Sequence, residues 1–428
     1  MTIALITFSA TYILLMLEKL PKYLISLIGA LIIIASGVLS LNDAMSFVSW
    51  DTIGLLLGMF IIIKVLEEAN FFNFMAVKIM EKLNFDIKKI YIVFPLITAL
   101  LAGFMDSITV LIFFTILTIN LCKMFDINPV PLVIAEVCTA NIGGSGTLVG
   151  DPPNVIIGSV LNYTFSDFVR NTGPIAFIST IVVTLFFFLI NFNKLKSIKK
   201  LNEVEKEQLI LENKISNLKY VKIGGLSFVF AIVFLVTHHL LNEMFGFHIY
   251  ASIATLLPAM VCLSLLKEDS DNILRSIDGE TLLFFIGLFI IIGSLEKTGV
   301  ISVIAEKIIK LSNGNPILLS LSFIWICGII SAVVDNVPMA LTMSYILLSI
   351  INQNPDLALC KDNFVWSLTL GLDIGGNMTP IGASANVMAY SILEKNKIHV
   401  GWKKWLMLAI PTTVIALIVS TIGIYIKL

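Results

Sequence analysis

Residues 141–155, NIGGSGTLVGDPPNV, decide the fold, because the pattern returns as DIGGNMTPIGASANV at residues 373–387. A second stretch, TIGLLLGMFIIIKVLEEAN at residues 52–70, returns as TLLFFIGLFIIIGSLEKTG at residues 281–299. Each pair of stretches is separated by about 230 residues, and the order of the motifs is the same. Long internal repeats of this kind indicate that the chain consists of two structurally related halves.

Composition places these halves in a membrane. Of 428 residues, 57% are hydrophobic and 13% are charged, and the mean hydropathy is +0.97. Soluble domains carry about 25% charged residues, so a multi-span helical membrane protein is expected. The net charge of −1 gives no electrostatic footprint for nucleic acid. The five Cys form no CxxC pair, so neither a disulfide framework nor a zinc knuckle is indicated.

A membrane-crossing helix needs about 20 apolar residues, and ten segments meet or nearly meet that length. These predicted spans are 2–17, 23–41, 50–66, 131–160, 174–192, 222–241, 249–266, 280–295, 364–391 and 405–426. Two further apolar stretches, 90–122 and 316–351, are too long for one span. They are broken near the middle, at Asp106 in FMDSIT and at Asp335 in VVDNVP. Each stretch is predicted to form a re-entrant hairpin whose irregular backbone lines a polar cavity.

The positions of the basic residues predict the orientation. With the N-terminus outside, all but six of the 28 Lys and Arg residues fall on the cytoplasmic side. The six are Arg170, Lys297, Lys307, Lys310, Lys361 and Lys427. Residues 1–192 then form a first repeat with scaffold spans in 1–66. Residues 193–222 form a cytoplasmic linker, and residues 223–428 form a second repeat. Each repeat has an odd number of spans, so the second is expected to insert upside down.

The expected fold class is therefore an all-α polytopic membrane protein built from two inverted-topology repeats. Each repeat contains about five transmembrane helices with one re-entrant hairpin and one broken helix, at 131–160 and at 364–391. Repeats with interrupted segments at matching places are typical of secondary transporters, which bind their substrates at such breaks.

The breaks carry the candidate chemistry. Ionisable residues within a bilayer are costly and are usually functional. Glycines allow the helix to unwind, and prolines stop it from continuing. Freed carbonyls with Asn, Ser and Thr oxygens suit a small hard cation such as Na⁺, whereas half-helix N-termini suit an anion. The predicted substrate- or ion-binding residues are Asp106, Ser107, Thr109, Asn141, Gly144, Gly150, Asp151, Asn154, Asp335, Asn336, Asp373, Gly376, Thr379, Gly382, Ser384 and Asn386.

Two finer assignments follow from residue type and placement. Na⁺ is predicted at Asp106, Ser107 and Asn154, and at Asp335, Asn336 and Asn386. The candidate proton carriers are Glu136, Asp106 and Asp335. Asp151 and Asp373 have an alternative role as caps of the following half-helix. The halves are chemically unequal, because Asp373 stands where the first half has Asn141.

At these residues the chain resembles a known family. NIGGSGTLVGDPPNVIIGS and GGNMTPIGASANV, with FMDSITVLIF and VVDNVPMAL, resemble the signature breaks and hairpin tips of the ion transporter superfamily. The branch is that of arsenite permeases, D-type sodium/proton antiporters and the melanosomal P protein, which have a citrate-transporter-like domain. The resemblance runs nearly the full length. It implies a scaffold domain, a homodimer, and a transport domain of hairpins and broken helices that moves as an elevator.

The function expected is ion-coupled secondary transport, with Na⁺/H⁺ exchange through midplane carboxylates favoured. The alternative is a permease for arsenite, antimonite or another anion, carboxylates included, coupled to Na⁺ or H⁺. Citrate or succinate is disfavoured, because like charges about 4 Å apart cost roughly 4 kcal/mol at an effective dielectric of about 20. A channel would need a continuous polar pore rather than polar groups gathered at midplane breaks.

The sequence gives no sign of an enzyme, and no catalytic residue is predicted. HExxH and the Walker pattern GxxxxGK[ST] are both missing from the sequence. No cofactor is expected beyond Na⁺ or H⁺ as coupling ion. The expected partners are a small inorganic ion or small-molecule substrate, the lipid bilayer and a second copy of the chain, with no nucleic acid. The expected location is the cell membrane, with multiple spans and both termini outside.

Overall fold

The computed structural model describes residues 1–17, 19–195, 198, 201–246 and 249–427, which form helices and turns with no strand among them. The first twelve helices are α1 Thr2–Leu17, α2 Lys22–Ala35, α3 Leu41–Phe47, α4 Trp50–Glu68, α5 Phe71–Lys82, α6 Ile87–Ala102, α7 Ser107–Met124, α8 Val130–Gly144, α9 Pro152–Leu161, α10 Phe165–Asn171, α11 Gly173–Leu195 and α12 Glu203–Glu212. The others are α13 Leu218–Phe245, α14 Ala251–Leu266, α15 Ser270–Arg275, α16 Gly279–Lys297, α17 Val300–Leu311, α18 Pro316–Ser331, α19 Asn336–Gln353, α20 Pro355–Ala358, α21 Lys361–Gly375, α22 Ser384–Lys395 and α23 Gly401–Lys427.

Several helices are long and apolar enough to cross a membrane. Within the described residues there are five, or up to seven if each of two bent helix pairs is one span. The bent pairs are α3 with α4, at 56°, and α17 with α18, at 116°. Most of the other predicted spans correspond to shorter apolar helices, among them α1, α2, α8, α9 and α14. The prediction of an all-α polytopic membrane protein is confirmed, whereas the inverted orientation of its halves stays a prediction.

One boundary differs from the sequence prediction. The span predicted at 23–41 ends at Ala35, and the chain turns through Gly37, whose φ is +73°. A separate short helix, α3, then begins behind Ser40, which forms a capping box with Asp43. Apolar residues stand on both sides of the turn, so the hydrophobic pattern of the sequence does not indicate that the helix ends there.

The same scaffold contact occurs twice, at positions that match in the two halves. Helix α2 packs against α16, and α4 packs against α14, so each half is paired with the other. A Cβ atom on Gly58 would lie 2.6 Å from the backbone of Thr255, and one on Gly287 would lie 2.6 Å from the backbone of Ser26. Glycine at these crossings lets the helix backbones touch, as is common between membrane helices.

Each stretch that was predicted to form a hairpin is divided into two helices with an aspartate at the break, and the re-entrant path through the membrane stays a prediction. Helices α6 and α7 meet at Asp106, and α18 and α19 meet at Asp335. Asp106 accepts a hydrogen bond from the backbone N–H of Thr109 at 3.2 Å, and Asp335 accepts one from Val337 at 3.1 Å. The aspartates therefore cap the second helix of each hairpin, where the backbone N–H groups lack partners.

Both predicted broken helices are interrupted as well. Helix α8 ends at Gly144 and α9 begins at Pro152, while α21 ends at Gly375 and α22 begins at Ser384. A Cβ atom on Gly150 would lie 2.7 Å from the carbonyl oxygen of Ala102 and closer still to that of Gly144. The break therefore folds back so tightly that only a glycine fits.

Two amphipathic helices and the linker complete the fold. Helices α5 and α17 follow the scaffold helices α4 and α16 and contact the hairpin helices α7 and α19. The linker predicted at 193–222 contains α12 and is tied to the end of α4 by Ser216 Oγ, which donates to the Glu68 carbonyl at 2.8 Å. Four of its residues lie outside the described residues: Lys196, Ser197, Lys199 and Lys200.

Candidate functional site

A cavity of about 440 Å³ lies between the scaffold helices and both hairpin tips. Seven of the predicted site residues line it: Asp106, Ser107, Thr109, Asp151, Asp335, Asn336 and Ser384. Its lining also includes Lys64 and Glu67 near the end of α4 and Asp278 just before α16. The predicted orientation places these last three residues toward the cytoplasm. In that orientation the cavity joins the breaks to the cytoplasmic side.

One corner of the cavity joins the first hairpin to the first broken helix. Ser107, at the start of α7, donates from its Oγ to Asp151 Oδ1 at 3.1 Å. Both side chains are buried. Asp151 occupies the cap position of α9 but makes no capping hydrogen bond with its side chain. Its carboxylate therefore faces the hairpin, which favours the ion-binding hypothesis over the capping alternative.

The opposite corner contains a residue that the sequence did not single out. Lys22, at the start of α2, forms an ion pair with Asp335 Oδ2 and donates to Ser384 Oγ at 3.0 Å. Ser384 Oγ in turn donates to Asp335 at 3.3 Å. A scaffold lysine thus contacts the tip of the second hairpin and the start of α22. In the sequence, Lys22 looks like an ordinary interfacial lysine before an apolar run, so no signal identified it.

Behind the cavity, an asparagine holds each break in shape. Asn154 Nδ2 donates to the carbonyl oxygens of Gly144 at 2.9 Å and Thr147 at 3.0 Å. Thr147 Oγ1 donates to the carbonyl of Gly103, beside the first hairpin tip. The unwound backbone is therefore satisfied by side chains rather than by helix hydrogen bonds.

The second break is held in the same way. Asn386 Nδ2 donates to the carbonyl oxygens of Gly376 at 2.8 Å and Thr379 at 2.7 Å. Thr379 Oγ1 donates to the carbonyl of Ala332, beside the second hairpin tip. Gly382 has the role of Gly150, since a Cβ atom there would crowd the carbonyls of Gly376 and Ala332.

A buried amide network joins the two breaks. Asn141 Nδ2 donates to Asn377 Oδ1 at 2.8 Å and to Asn386 Oδ1 at 2.9 Å. Asn377 donates to the Cys138 carbonyl at 3.2 Å, and its own carbonyl accepts from Trp405 Nε1. The first broken helix is therefore connected directly to the second. Asn377 lies in the second predicted break but is not one of the predicted binding residues.

Two predicted acids lie away from the cavity wall. Glu136 is fully buried on α8, where Thr118 donates to its Oε1 at 2.5 Å and its Oε2 has no hydrogen-bond partner. Asp373 is fully buried on α21, and neither of its carboxylate oxygens accepts a well-formed hydrogen bond, although the Asn154 side chain lies beside it. Neither residue is part of the cavity lining. The predicted Na⁺ ligands Asn154 and Asn386 also lie behind the lining, so both predicted ligand sets stay predictions.

The electrostatic balance of the site is negative. Asp106 and Asp335 are close enough to Asp151 to interact with it electrostatically, and Asp151 is close enough to Asp373. Among the ion pairs between described residues, only that of Lys22 involves one of these four aspartates. Like charges repel strongly where water is scarce. The arrangement therefore favours a bound cation or proton.

The donor atoms available are hard oxygen ligands. The described residues contain no group of three or more His, Cys, Asp and Glu residues placed to hold a metal ion. The site instead gathers aspartate, asparagine, serine and threonine oxygens around unwound backbone. Oxygens of this kind suit a small alkali-metal ion rather than a zinc or copper ion.

A family profile and individual protein sequences both match the chain over most of its length. The sequence profile described as citrate transporter, CitMHS, matches residues 12–371. The chain is 30% identical to an uncharacterized transporter of Mycobacterium tuberculosis, over 99% of this chain and 98% of that protein. It is 27% identical to the P protein of Sus scrofa, over 98% of this chain and 58% of that protein.

The fold also resembles a solved structure of a membrane transporter. MtrF of Neisseria gonorrhoeae, described as one of a class of antimetabolite efflux pumps, superposes with a TM-score of 0.59. The match covers 92% of this chain and 84% of MtrF, at 12% sequence identity. At that identity the likeness concerns the fold alone. The resemblance inferred from the breaks and hairpin tips is confirmed by the sequence matches.

Proposed function

The chain belongs to the citrate transporter family and is a multi-pass membrane transporter, and we propose that it exchanges Na⁺ for H⁺ through carboxylates at its hairpin tips and breaks. The observation that carries the proposal is the surplus of carboxylates at the cavity. Asp106, Asp151 and Asp335 line it, and Lys22 forms an ion pair with Asp335. A site with this charge binds Na⁺ or H⁺ in competition, which is the requirement for exchange.

The charges also bear on which substrates fit. A di-anion that enters the cavity meets the carboxylates of Asp106 and Asp151, while the nearby Lys22 is paired with Asp335. The di-anion also loses hydration on entry. Repulsion at about 4 Å is worth roughly 4 kcal/mol at an effective dielectric of about 20. Na⁺ and H⁺ gain from the same field. The balance supports cation exchange even though the family is named for citrate.

We extend the proposal to elevator-type alternating access. The hairpins and broken helices contact one another across the halves, α19 with α9 and α22 with α7. The cavity lies between their tips and helices α2, α4 and α16, and Lys22 of α2 connects the two sides through its ion pair with Asp335. Helices α5 and α17 connect the scaffold to the hairpins. This division supports the proposal of a rigid transport unit that slides past a fixed scaffold, and a homodimer through the scaffold is part of the proposal.

One observation favours a second candidate. The cavity of about 440 Å³ is much larger than a bare ion, and Lys22 and Lys64 line it. An arsenite, antimonite or carboxylate permease coupled to Na⁺ or H⁺ would use that space. Lys22 is already paired with Asp335, and Lys64 is paired with Glu67 and Glu68. Neither lysine therefore presents an uncommitted charge to an anion, and cation exchange remains the better-supported function.

Uptake into liposomes separates the two candidates. Purified protein is reconstituted, and uptake of ²²Na⁺ is compared with uptake of labelled citrate and arsenite under an outward proton gradient. Saturable ²²Na⁺ uptake that dissipates with the proton gradient is the expected result. The second candidate would replace the first if an anion is taken up only with Na⁺ or H⁺ and if no Na⁺/H⁺ exchange occurs without that anion.

A further inference from the structure

The two breaks have the same backbone hydrogen bonds, but the asparagine side chains that form them differ in their own hydrogen-bond partners. In both, the side-chain amide of an asparagine, Asn154 or Asn386, uses both of its N–H groups on backbone carbonyls. This fixes which end of the amide is oxygen, so each Oδ1 points away from its own break. The Oδ1 of Asn386 accepts a hydrogen bond from Asn141 at 2.9 Å. The Oδ1 of Asn154 has no donor.

By analogy with the second break, the donor to Asn154 Oδ1 would come from the residue that corresponds to Asn141, and that residue is an aspartate. At the offset of 232 that relates the breaks, Asn141 corresponds to Asp373. The Asp373 carboxyl lies beside the Asn154 side chain, and α21 packs against α9. An ionised carboxylate cannot donate a hydrogen bond. The result is three buried acceptor oxygens, two from Asp373 and one from Asn154, that accept no well-formed hydrogen bond, although the Asn154 amide lies close to the Asp373 carboxylate.

Such an arrangement is costly unless something binds to it. A buried acceptor without a partner loses its hydration, and a buried charge loses far more. The asparagines of the second break show that this fold satisfies the same geometry with a neutral pair. Because Asp373 stands where the other break has Asn141, a hydrogen bond is lost and a negative charge is placed beside Asn154 Oδ1. That change is unfavourable in an empty site and favourable in one that holds a small cation.

We propose that Asp373 and Asn154 Oδ1 bind the Na⁺ that the transporter exchanges, at a site behind the cavity wall. The inference rests on the proposed function and specifies where its cation binds. Both residues are fully buried, so the ion binds without most of its water. Asp151 lines the cavity and is close enough to Asp373 to interact with it electrostatically. It is therefore a carboxylate of the cavity that an ion bound at Asp373 would also interact with.

Asp373→Asn is the decisive variant, because it recreates the neutral pair of the other break. The new amide would donate to Asn154 Oδ1 as Asn141 donates to Asn386. We expect the variant to fold and to unfold at a higher temperature than the wild type in Na⁺-free buffer. Its Na⁺ affinity should fall at least about 100-fold, beyond the roughly 10–100-fold that loss of an outer-shell partner costs. Asp43→Asn removes a carboxylate that pairs with Lys297 outside the cavity lining, and it serves as the matched control.

The measurement is Na⁺ binding at equilibrium in detergent, by calorimetry and by thermal unfolding in NaCl against choline chloride. The proposal predicts Na⁺-dependent stabilisation in the wild type and in Asp43→Asn, and its loss in Asp373→Asn. Asp373→Glu, which keeps the charge but moves it, should bind Na⁺ more weakly than the wild type and more tightly than Asp373→Asn. Undiminished Na⁺ binding in Asp373→Asn would overturn the proposal. So would a wild type that shows no Na⁺ response while Asp373→Asn is stabilised, which would indicate a proton on Asp373.

The liposome assay distinguishes failure of the site from failure of the function. If the wild type exchanges Na⁺ for H⁺ and Na⁺ still binds to Asp373→Asn, the proposed function is supported and the cation binds at another site. Na⁺ binding that depends on Asp373, in a protein that does not exchange Na⁺ for H⁺, would support the site and refute the function.

Discussion

Gly150→Ala tests whether the tight turn of the first break is essential. A methyl group there would lie 2.7 Å from the Ala102 carbonyl oxygen and closer still to that of Gly144, where real contacts rarely fall under 3.0 Å. The clashing atoms belong to the backbone and cannot rotate away. Overpacking of this kind costs about 1–3 kcal/mol. We expect the upper part of that range, because the Gly144 carbonyl is also the acceptor for Asn154.

The consequence for transport should exceed the consequence for stability. A displacement of about 1 Å at a binding site can reduce a rate about 100-fold, and Asn154 would move with the Gly144 carbonyl. Gly382→Ala, the matching change in the second break, should behave in the same way. The assays are thermal unfolding in detergent and Na⁺-driven proton movement in liposomes. Gly225→Ala, which would meet nothing within 4 Å on α13, is the control. Unchanged stability and exchange in Gly150→Ala would refute the reasoning.

Two further predictions concern charged pairs. Lys22→Met leaves Asp335 without its ion-pair partner, and should cost between about 1 kcal/mol, as for exposed pairs, and about 3 kcal/mol, as for buried ones. Asp335→Asn in the same chain should recover part of that loss in a double-mutant cycle of unfolding free energies, and strict additivity would contradict the pairing. On the exposed surface, the hydrogen bond from Lys297 lowers the pKa of Asp43 from 3.8 to about 2. The pair therefore stabilises the fold fully above about pH 4 and less as the pH falls toward 2. Asp43→Asn should reduce acid sensitivity in that window, and an unchanged acid-unfolding curve would count against it.

The local structure of the site could be predicted because it is encoded by residues that interrupt apolar runs. Gly, Pro and Asp within an otherwise uniform hydrophobic stretch have few roles, so the helix breaks at Asp106 and Asp335 and the unwound segment around Gly150 can be predicted from the sequence. The internal repeat strengthened each assignment. The same logic missed α3, because neither Ser40 nor Gly37 stands out beside apolar neighbours.

The contacts between distant elements could not be predicted in the same way. Lys22 and Asp335 are separated by 313 residues, and nothing in the sequence around Lys22 marks it as a partner of a hairpin tip. The amide network from Asn141 through Asn386 depends on how the two breaks face each other across the repeat. The sequence showed that Asp373 replaces Asn141 in the second half. Only the packing of α21 against α9 showed that the replacement leaves Asn154 without a donor.

The most direct test of Na⁺/H⁺ exchange uses purified protein in liposomes with a pH-sensitive dye trapped inside. A Na⁺ gradient is imposed, with Li⁺ as a second cation and K⁺ as the control. Exchange through the hairpin-tip carboxylates should give a Na⁺-dependent change of internal pH that is lost in both Asp106→Asn and Asp335→Asn. The absence of any pH change in correctly inserted wild-type protein, or an unaltered change in both variants, would contradict it.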